Sequence, residues 1–374
     1  MSQPSTDDPR YKLASILAPP QLARLGAIGA TLIAATAAFA WTGGYFSPNR
    51  LDQSRMIDAF EADNGVHPGF RRNHAKGVCV DGTFDSNGAG ARVSKAQVFQ
   101  PGRVPVFGRF ALSGGVPMVA DAPTIVRSLA LNFSLPDGEA WRTAMINIPV
   151  FPLKDPRAFY EQLVASRPDP KTGHPDPQAL AAFVAHHPET AQAMAIIHAR
   201  GFSSAFANAT YNALNAFLFT SAAGVATPVR WSAEPVDAFV PAPTAADGDQ
   251  NYLFESLIAR VQEAPAQWHL ILTIGQPGDP TDDATLPWPA DRERIDAGTL
   301  SVTHITAESD GNCRDVNFDP LVLPDGIAPS DDPLLSARSA AYSTSFTRRA
   351  GEPKTPSAIQ TTNQPATSQT ATRP

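Results

Sequence analysis

The sequence predicts an α+β fold, an antiparallel β-barrel core with helical insertions, preceded by one N-terminal transmembrane helix. Three observations lead there. An uncharged run extends from Leu25 to Asn49. Segments dense in branched and aromatic residues are grouped before and after a helical stretch, the pattern of an antiparallel sheet or barrel. A regular β-α-β alternation is missing, which disfavours a doubly wound dinucleotide fold. A chain of 374 residues with 43 % hydrophobic content can bury a sizeable core.

Residues 1–23 are polar and proline-bearing and predict a disordered start. "LGAIGATLIAATAAFAWTGGYF", Leu25 to Phe46, is long enough for a bilayer, which takes ~20 residues in a helix. Arg24 abuts it, and Trp41 and Tyr45 fall where interfacial aromatic residues gather. Residues 24–46 are therefore read first as an uncleaved membrane anchor, with the bulk of the chain on the periplasmic side. Ala38-Phe39-Ala40 resembles a cleavage site, so a cleaved signal and secretion to the periplasm is the second reading. A buried core helix is the third.

"LDQSRMIDAFEADNG" carries Leu51, Met56, Ile57 and Phe60 at helical spacing and predicts a short amphipathic helix. Strands are predicted at "KAQVF", "VFGRFALS", "RSLALNFSL" and "WRTAMINIPVF", with "LPDG" as the turn between the last two. Helices are predicted at "DPRAFYEQL", "DPQALAAFVAHH" and "ETAQAMAIIHA". Strands resume at "LNAFLFTSA" and "TPVRWSAEPV"; a helix "NYLFESLIARVQEA" precedes the strands "WHLILTI" and "LSVTHITA". A last helix starts at "DDPLLSARSAAY", where Asp331 or Asp332 can cap and Pro333 suits the first turn. The folded domain is expected over 47–350. Residues 351–374 read as a low-complexity, disordered tail.

A formal net charge of −7 gives no basic footprint, so a nucleic-acid partner is not expected. Two cysteines, Cys79 and Cys313, exclude a Cys-rich zinc site and a disulfide framework. No nucleophile elbow, paired-histidine zinc motif, phosphate loop or dinucleotide fingerprint is present. Of the eight histidines, His74 stands out by its surroundings, between a cationic cluster and a strand-like run in "RRNHAKGVCVDGTF". Far downstream, "RSAAY" puts Arg338 and Tyr342 four residues apart on one helix face. A guanidinium there favours the phenolate over the phenol, and a phenolate is a good ligand for ferric iron. Taken alone, the pentapeptide reads as an ordinary contact on a surface helix.

Together these stretches resemble the haem catalases, and more closely the shorter, exported catalase-related peroxidases. The resemblance rests on His74-Ala75-Lys76-Gly77, with Arg71 three residues ahead of the histidine, and on "GRFALSGG" with Arg109. It continues through "NIPVFPLKDPRAF", Asn147 to Phe159, and "NFDPLVLPDGI", to Arg338, Tyr342 and Arg349. It covers roughly residues 50–350 in the family's order. The chain ends soon after Tyr342, without the long C-terminal extension of typical catalases.

The resemblance implies a catalase-like haem domain. Tyr342 would be the iron ligand, the role tyrosine has in catalase, with Arg338 keeping it anionic. His74 would act as general base and then general acid toward an incoming peroxide. Arg71, Arg109 and Arg349 would pair with the haem propionates, and Phe151 and Phe159 would lie in the distal pocket. The expected partners are a peroxide, an unspecified electron donor and the membrane; a homo-oligomer is compatible with the sequence.

Two departures matter. The first of the family's two adjacent asparagines is Ile146 here, and Asn147 is the second. The serine that orients the distal histidine is Ala111. Both changes point to a peroxidase with weakened hydrogen peroxide dismutation, and Ile146 to organic peroxides. A true catalase and a non-enzymatic haem carrier or peroxide sensor are the competing readings. Cys79 and Cys313 could pair in an oxidising compartment, but two separate buried thiols are the favoured expectation.

Overall fold

The computed structural model describes residues 19–47, 50–244 and 249–361. The chain divides into two compact units, Met1–Asp52 and Gln53–Pro374.

The first unit holds helix α1, Pro19–Thr42, none of whose residues is buried. It is long and apolar enough to cross a membrane, and it starts before the expected Arg24. Most of the predicted disordered start, residues 1–18, lies outside the described residues.

The second unit is the barrel with its helices. Its strands are β1 Gly77–Ser86, β2 Gly102–Leu112, β3 Arg127–Ser134, β4 Ala140–Ile146, β5 Tyr211–Asn212, β6 Phe217–Thr220, β7 Ala226–Pro235, β8 Ala266–Ile274, β9 Arg294–Thr306 and β10 Ile327–Pro329. All pairings are antiparallel, and the ladder β1-β2-β3-β4-β5-β7-β8-β9 returns to β1. Eight strands therefore close a barrel, with β6 and β10 attached beside β7. Closure leaves no free edge among those eight.

Alternation along the strands sends large residues inward. Phe84, Phe133, Trp141 and Trp231 pack ring on ring, with Phe133 and Trp141 stacked at 4.8 Å and Trp231 5.1 Å from Trp141. At Gly82 a Cβ would meet the Ser301 carbonyl oxygen at 1.9 Å, at a register shift between β1 and β9. Only glycine fits that bulge.

Helix α2, Gln53–Asn64, precedes the barrel and buries Met56, Ile57 and Phe60, as its spacing predicts. Helices α3 (Pro156–Ala165), α4 (Pro177–His186) and α5 (Pro188–Arg200) form the insertion between β4 and β5. Asp155 and Asp176 cap α3 and α4 ahead of Pro at the first turn. Helix α6, Tyr252–Glu263, joins β7 to β8, and α7, Pro333–Ala350, is the last helix, with Asp332 as its cap.

Three sequence expectations need correcting. "KAQVF" is not a strand; Gln97–Phe99 form one 3₁₀ turn that sends Phe99 into the barrel against Trp141 and Phe219. The strand expected to run to Phe151 stops at Ile146, where the Asn147 side chain accepts from the Arg127 amide. The folded domain does not end at 350: Ser357 and Ile359 are buried, and Thr361 accepts from the Ala307 amide. Residues 362–374 of the predicted tail lie outside the described residues.

Candidate active site

His74 precedes β1 in a tight turn with φ of 55°, a left-handed conformation uncommon outside glycine. Asn73 holds it: its Oδ1 accepts from the His74 amide and from the Gly114 amide, both at 2.9 Å. The Ala75 amide donates to the Gly114 carbonyl, so the turn is pinned to the end of the β2 hairpin. Backbone strain held in this way collects at functional sites. Gly77 then lets β2 come close, since a Cβ there would lie 2.5 Å from the Arg109 guanidinium carbon.

Burial, and after it the positive charge of Arg109, pushes the His74 imidazole down from 6.5 to about 3; Arg338 and Arg71 act in the same direction. The ring is thus neutral at physiological pH, the form able to accept a proton. Its Nδ1 is buried without a hydrogen-bond partner among the described residues.

Register places a row of small residues on the outer wall beside this turn. Gly77 faces Ala111, Ala111 faces Ser128, and Ser128 faces Ile146. One step along, Cys79, Arg109, Ala130 and Ala144 form the next row on the same face. The β3–β4 pairing has no slip, so Ile146 shares the Ala111 face and Asn147 does not. The Asn147 amide is spent on the Arg127 backbone.

Helix α7 crosses this wall. It buries Leu334, Leu335 and Arg349, near its ends, and nothing between Ser336 and Arg348. Arg338 donates to the Asn215 side chain and, at 3.2 Å, to the Ala144 carbonyl. Its guanidinium lies 5.9 Å from the Tyr342 ring centroid, as the four-residue spacing predicts. Asn215 in turn donates to Asp332 at 2.7 Å, and the other Asp332 oxygen caps α7 through the Leu334 amide. Burial pushes the Asp332 carboxyl up, opposed first by the Asn215 bond.

Arg71 and Arg109 meet at a buried carboxylate, Glu308. Arg109 grips it with Nε at 2.7 Å and Nη2 at 3.0 Å, while Arg71 Nη1 reaches the first oxygen at 3.0 Å. The two cations hold Glu308 below the usual carboxylate range against the opposing effect of burial. Arg71 also donates to the Cys313 and Val316 carbonyls at 3.0 and 2.9 Å. Arg349 is 3 % exposed; burial and then Arg109 push it down to about 10. The described residues offer it the Phe346 ring, at 5.5 Å, and no hydrogen bond.

His74, Arg71, Arg109, Arg338, Arg349 and Tyr342 are therefore one cluster: Arg109, Arg338 and Arg71 act on His74, and Arg109, Arg349 and Tyr342 act on Arg71. Phe151 and Phe159 lie together, 5.9 Å apart, with Phe60 of α2 5.5 Å from Phe159. No ring contact among the described residues joins them to His74.

A family model described as Catalase matches residues 43–372. The chain belongs to the catalase family. It is 37 % identical over 332 residues to a catalase-related peroxidase of Synechococcus elongatus, covering 87 % of this chain and 94 % of that protein. A second catalase-related peroxidase, from Mycolicibacterium paratuberculosis, is 32 % identical over 80 % of this chain and 96 % of its own length. The catalase of Pseudomonas aeruginosa is 25 % identical over 74 % of this chain, which spans 56 % of that enzyme. Among solved structures, a fungal catalase superposes with a TM-score of 0.67 at 18 % identity. It covers 79 % of this chain and 64 % of its own, and a likeness at that identity concerns the fold.

The cysteines of this catalase-family chain overturn the expectation of separate thiols. Cys79 and Cys313 are bonded, with Cα atoms 5.3 Å apart across a sequence separation of 234. The bond ties β1 to the loop whose carbonyls hold Arg71. Sequence reading also passed over Glu308, Asn215 and Asn73. Glu308 sits in "TAESD" with nothing local to mark it. Asn215 follows Leu214, which has φ of 63°, a strain visible only in three dimensions.

Proposed function

We propose that this chain is a membrane-anchored, exported haem peroxidase that reduces peroxides, organic hydroperoxides foremost, at the expense of an electron donor. The observation that carries the reading is His74: an imidazole kept neutral down to about pH 3, in a strained turn, within the field of the arginines that surround Tyr342.

The residues fit an iron porphyrin. The outer wall offers Ala111, Ala130 and Ala144, small side chains against which a planar ring can lie. Among the described residues, Arg349 is a buried guanidinium with no anionic partner within ion-pairing distance, the state that a carboxylate would relieve. Tyr342 would hold the iron, with Arg338, itself fixed by Asn215 and Ala144, stabilising the phenolate. Arg71, Arg109 and Arg349 would take the propionates through charge-assisted bonds. When bound, the haem would supply the two electrons that cleave the peroxide O–O bond and would regain them from the donor.

This chain's own part is proton handling. Neutral His74 accepts the proton of the near peroxide oxygen and returns it to the departing one, so that water or an alcohol leaves. With Ala111 in place of a hydroxyl, no side chain among the described residues bonds Nδ1, and the ring is left to the Leu112 backbone for its orientation. Ile146 makes that face apolar, which suits an alkyl hydroperoxide better than a second hydrogen peroxide. Phe151 and Phe159, edge-on to each other, with Phe60 edge-on to Phe159, form an apolar wall that supports the same preference. Helix α1 would either anchor the protein or serve as its export signal, with the catalytic unit on the periplasmic side in both cases.

The test is the full chain reconstituted with haem, its absorption spectrum, and dye oxidation with hydrogen peroxide and with an alkyl hydroperoxide. A Soret band and a preference for the alkyl substrate are expected. Rapid oxygen evolution from hydrogen peroxide alone would make the protein a true catalase; a Soret band without turnover of either peroxide would make it a carrier or sensor.

A further inference from the structure

We infer that Glu308 sets how many carboxylates the arginine cluster accepts, and that it restricts the site to a porphyrin bearing two. The inference rests on the haem reading above and goes beyond it, to the choice among porphyrins.

Buried charge sets the count. Arg109, Arg349 and Glu308 are 3 %, 3 % and 4 % exposed, and the Arg71 side chain is 15 % exposed. Three guanidiniums against one carboxylate leave two uncompensated positive charges. Neighbouring ions do not change this: Arg72, Arg348, Lys354 and Arg314 stand beside Glu61, Glu352, Asp58 and Asp315, four charges of each sign. Arg314 donates to the Thr355 carbonyl and keeps contact with solvent. Two carboxylates therefore neutralise the cluster. A porphyrin with none leaves two buried charges unpaired, and one with four brings excess negative charge; each is costly away from water.

Donor geometry points the same way. Glu308 occupies Nε and Nη2 of Arg109 and one N–H of Arg71, while the Arg71 Nη2 is spent on the Cys313 and Val316 carbonyls. What remains is Nη1 of Arg109, part of Arg71 and the whole of Arg349. That supply serves two carboxylates and not four. Removing the Glu308 charge leaves Arg109 facing only neutral acceptors, the Ala75 carbonyl among them, and adds one uncompensated cation, so additional carboxylates become acceptable.

The experiment titrates apoprotein, prepared from the full chain in detergent, with three iron porphyrins followed by their Soret bands. They carry two free carboxylates (protohaem), none (its dimethyl ester) and four (iron coproporphyrin). Wild type is expected to bind the two-carboxylate form at least about tenfold more tightly than either other, the effect of about 1.4 kcal/mol. In Glu308→Gln the ratio between the two- and four-carboxylate forms falls toward one. An unchanged ratio in a folded Glu308→Gln protein overturns the inference. If that variant does not fold, the wild-type series decides, because equal affinity for two and four carboxylates overturns it as well. Failure of wild type to bind any of the three is a different outcome, and removes the cofactor reading itself.

Discussion

Replacing both Cys79 and Cys313 by alanine tests how the site is held together. The closed loop spans a sequence separation of 234 residues. Chain-entropy scaling for a loop of that length gives about 5 kcal/mol at 25 °C, near the top of what native disulfides contribute. Both side chains are fully buried, and the alanines leave little unsatisfied polar surface. The expected loss is therefore about 3–5 kcal/mol, or a fall in Tm on the order of 10 °C. Because the Cys313 and Val316 carbonyls fix Arg71, the double variant should also release haem faster. The assay is denaturant unfolding of oxidised wild type, reduced wild type and the double variant, with alkylation and mass measurement before and after reduction. Thiols that alkylate without reductant, or a stability loss below about 1 kcal/mol, would refute the reasoning.

Other consequences follow from single groups. His74→Gln should lose about 10²- to 10⁴-fold in the rate of reaction with peroxide while retaining haem, as read by stopped-flow mixing and haem content. The pH dependence of stability has a definite sign: the His74 pKa is depressed from 6.5 to about 3, so its contribution is whole above about 6.5 and is lost as pH falls toward 3. Unfolding between pH 7 and pH 4 should accordingly show a steeper acid loss in wild type than in His74→Gln. Asn215→Ala leaves Arg338 the Ala144 carbonyl alone and should cost about 1.5–3 kcal/mol, the range for a bond to a charged group. It should also move the absorption spectrum of the haem-loaded protein, a change that a merely structural defect away from Tyr342 would not produce.

The elements easiest to read in the sequence were those with local grammar. Asp155, Asp176 and Asp332 each precede a proline and a periodic apolar run and each caps a helix, Asp332 being the one whose capping role the sequence reading named. Strands β2, β3, β7 and β8 were legible because branched and aromatic residues recur at alternate positions, and that set packs the barrel interior. Val98 and Phe99 misled, since their β-forming character serves core packing from a single 3₁₀ turn. The site divided along the same line. Arg338 and Tyr342 are four residues apart on one helix, so their contact was local. Glu308 reaches Arg109 across 199 residues and Cys79 reaches Cys313 across 234, contacts made by the closure of the barrel rather than by any spacing.

The central claim is that the Tyr342 oxygen holds the iron of a haem beneath His74. The most direct measurement is the absorption spectrum of haem-reconstituted Tyr342→Phe beside wild type, with circular dichroism confirming that both are folded. Loss of the pigment, or replacement of the high-spin phenolate-type bands by those of a differently ligated haem, is the predicted result. Two spectra that coincide would contradict it.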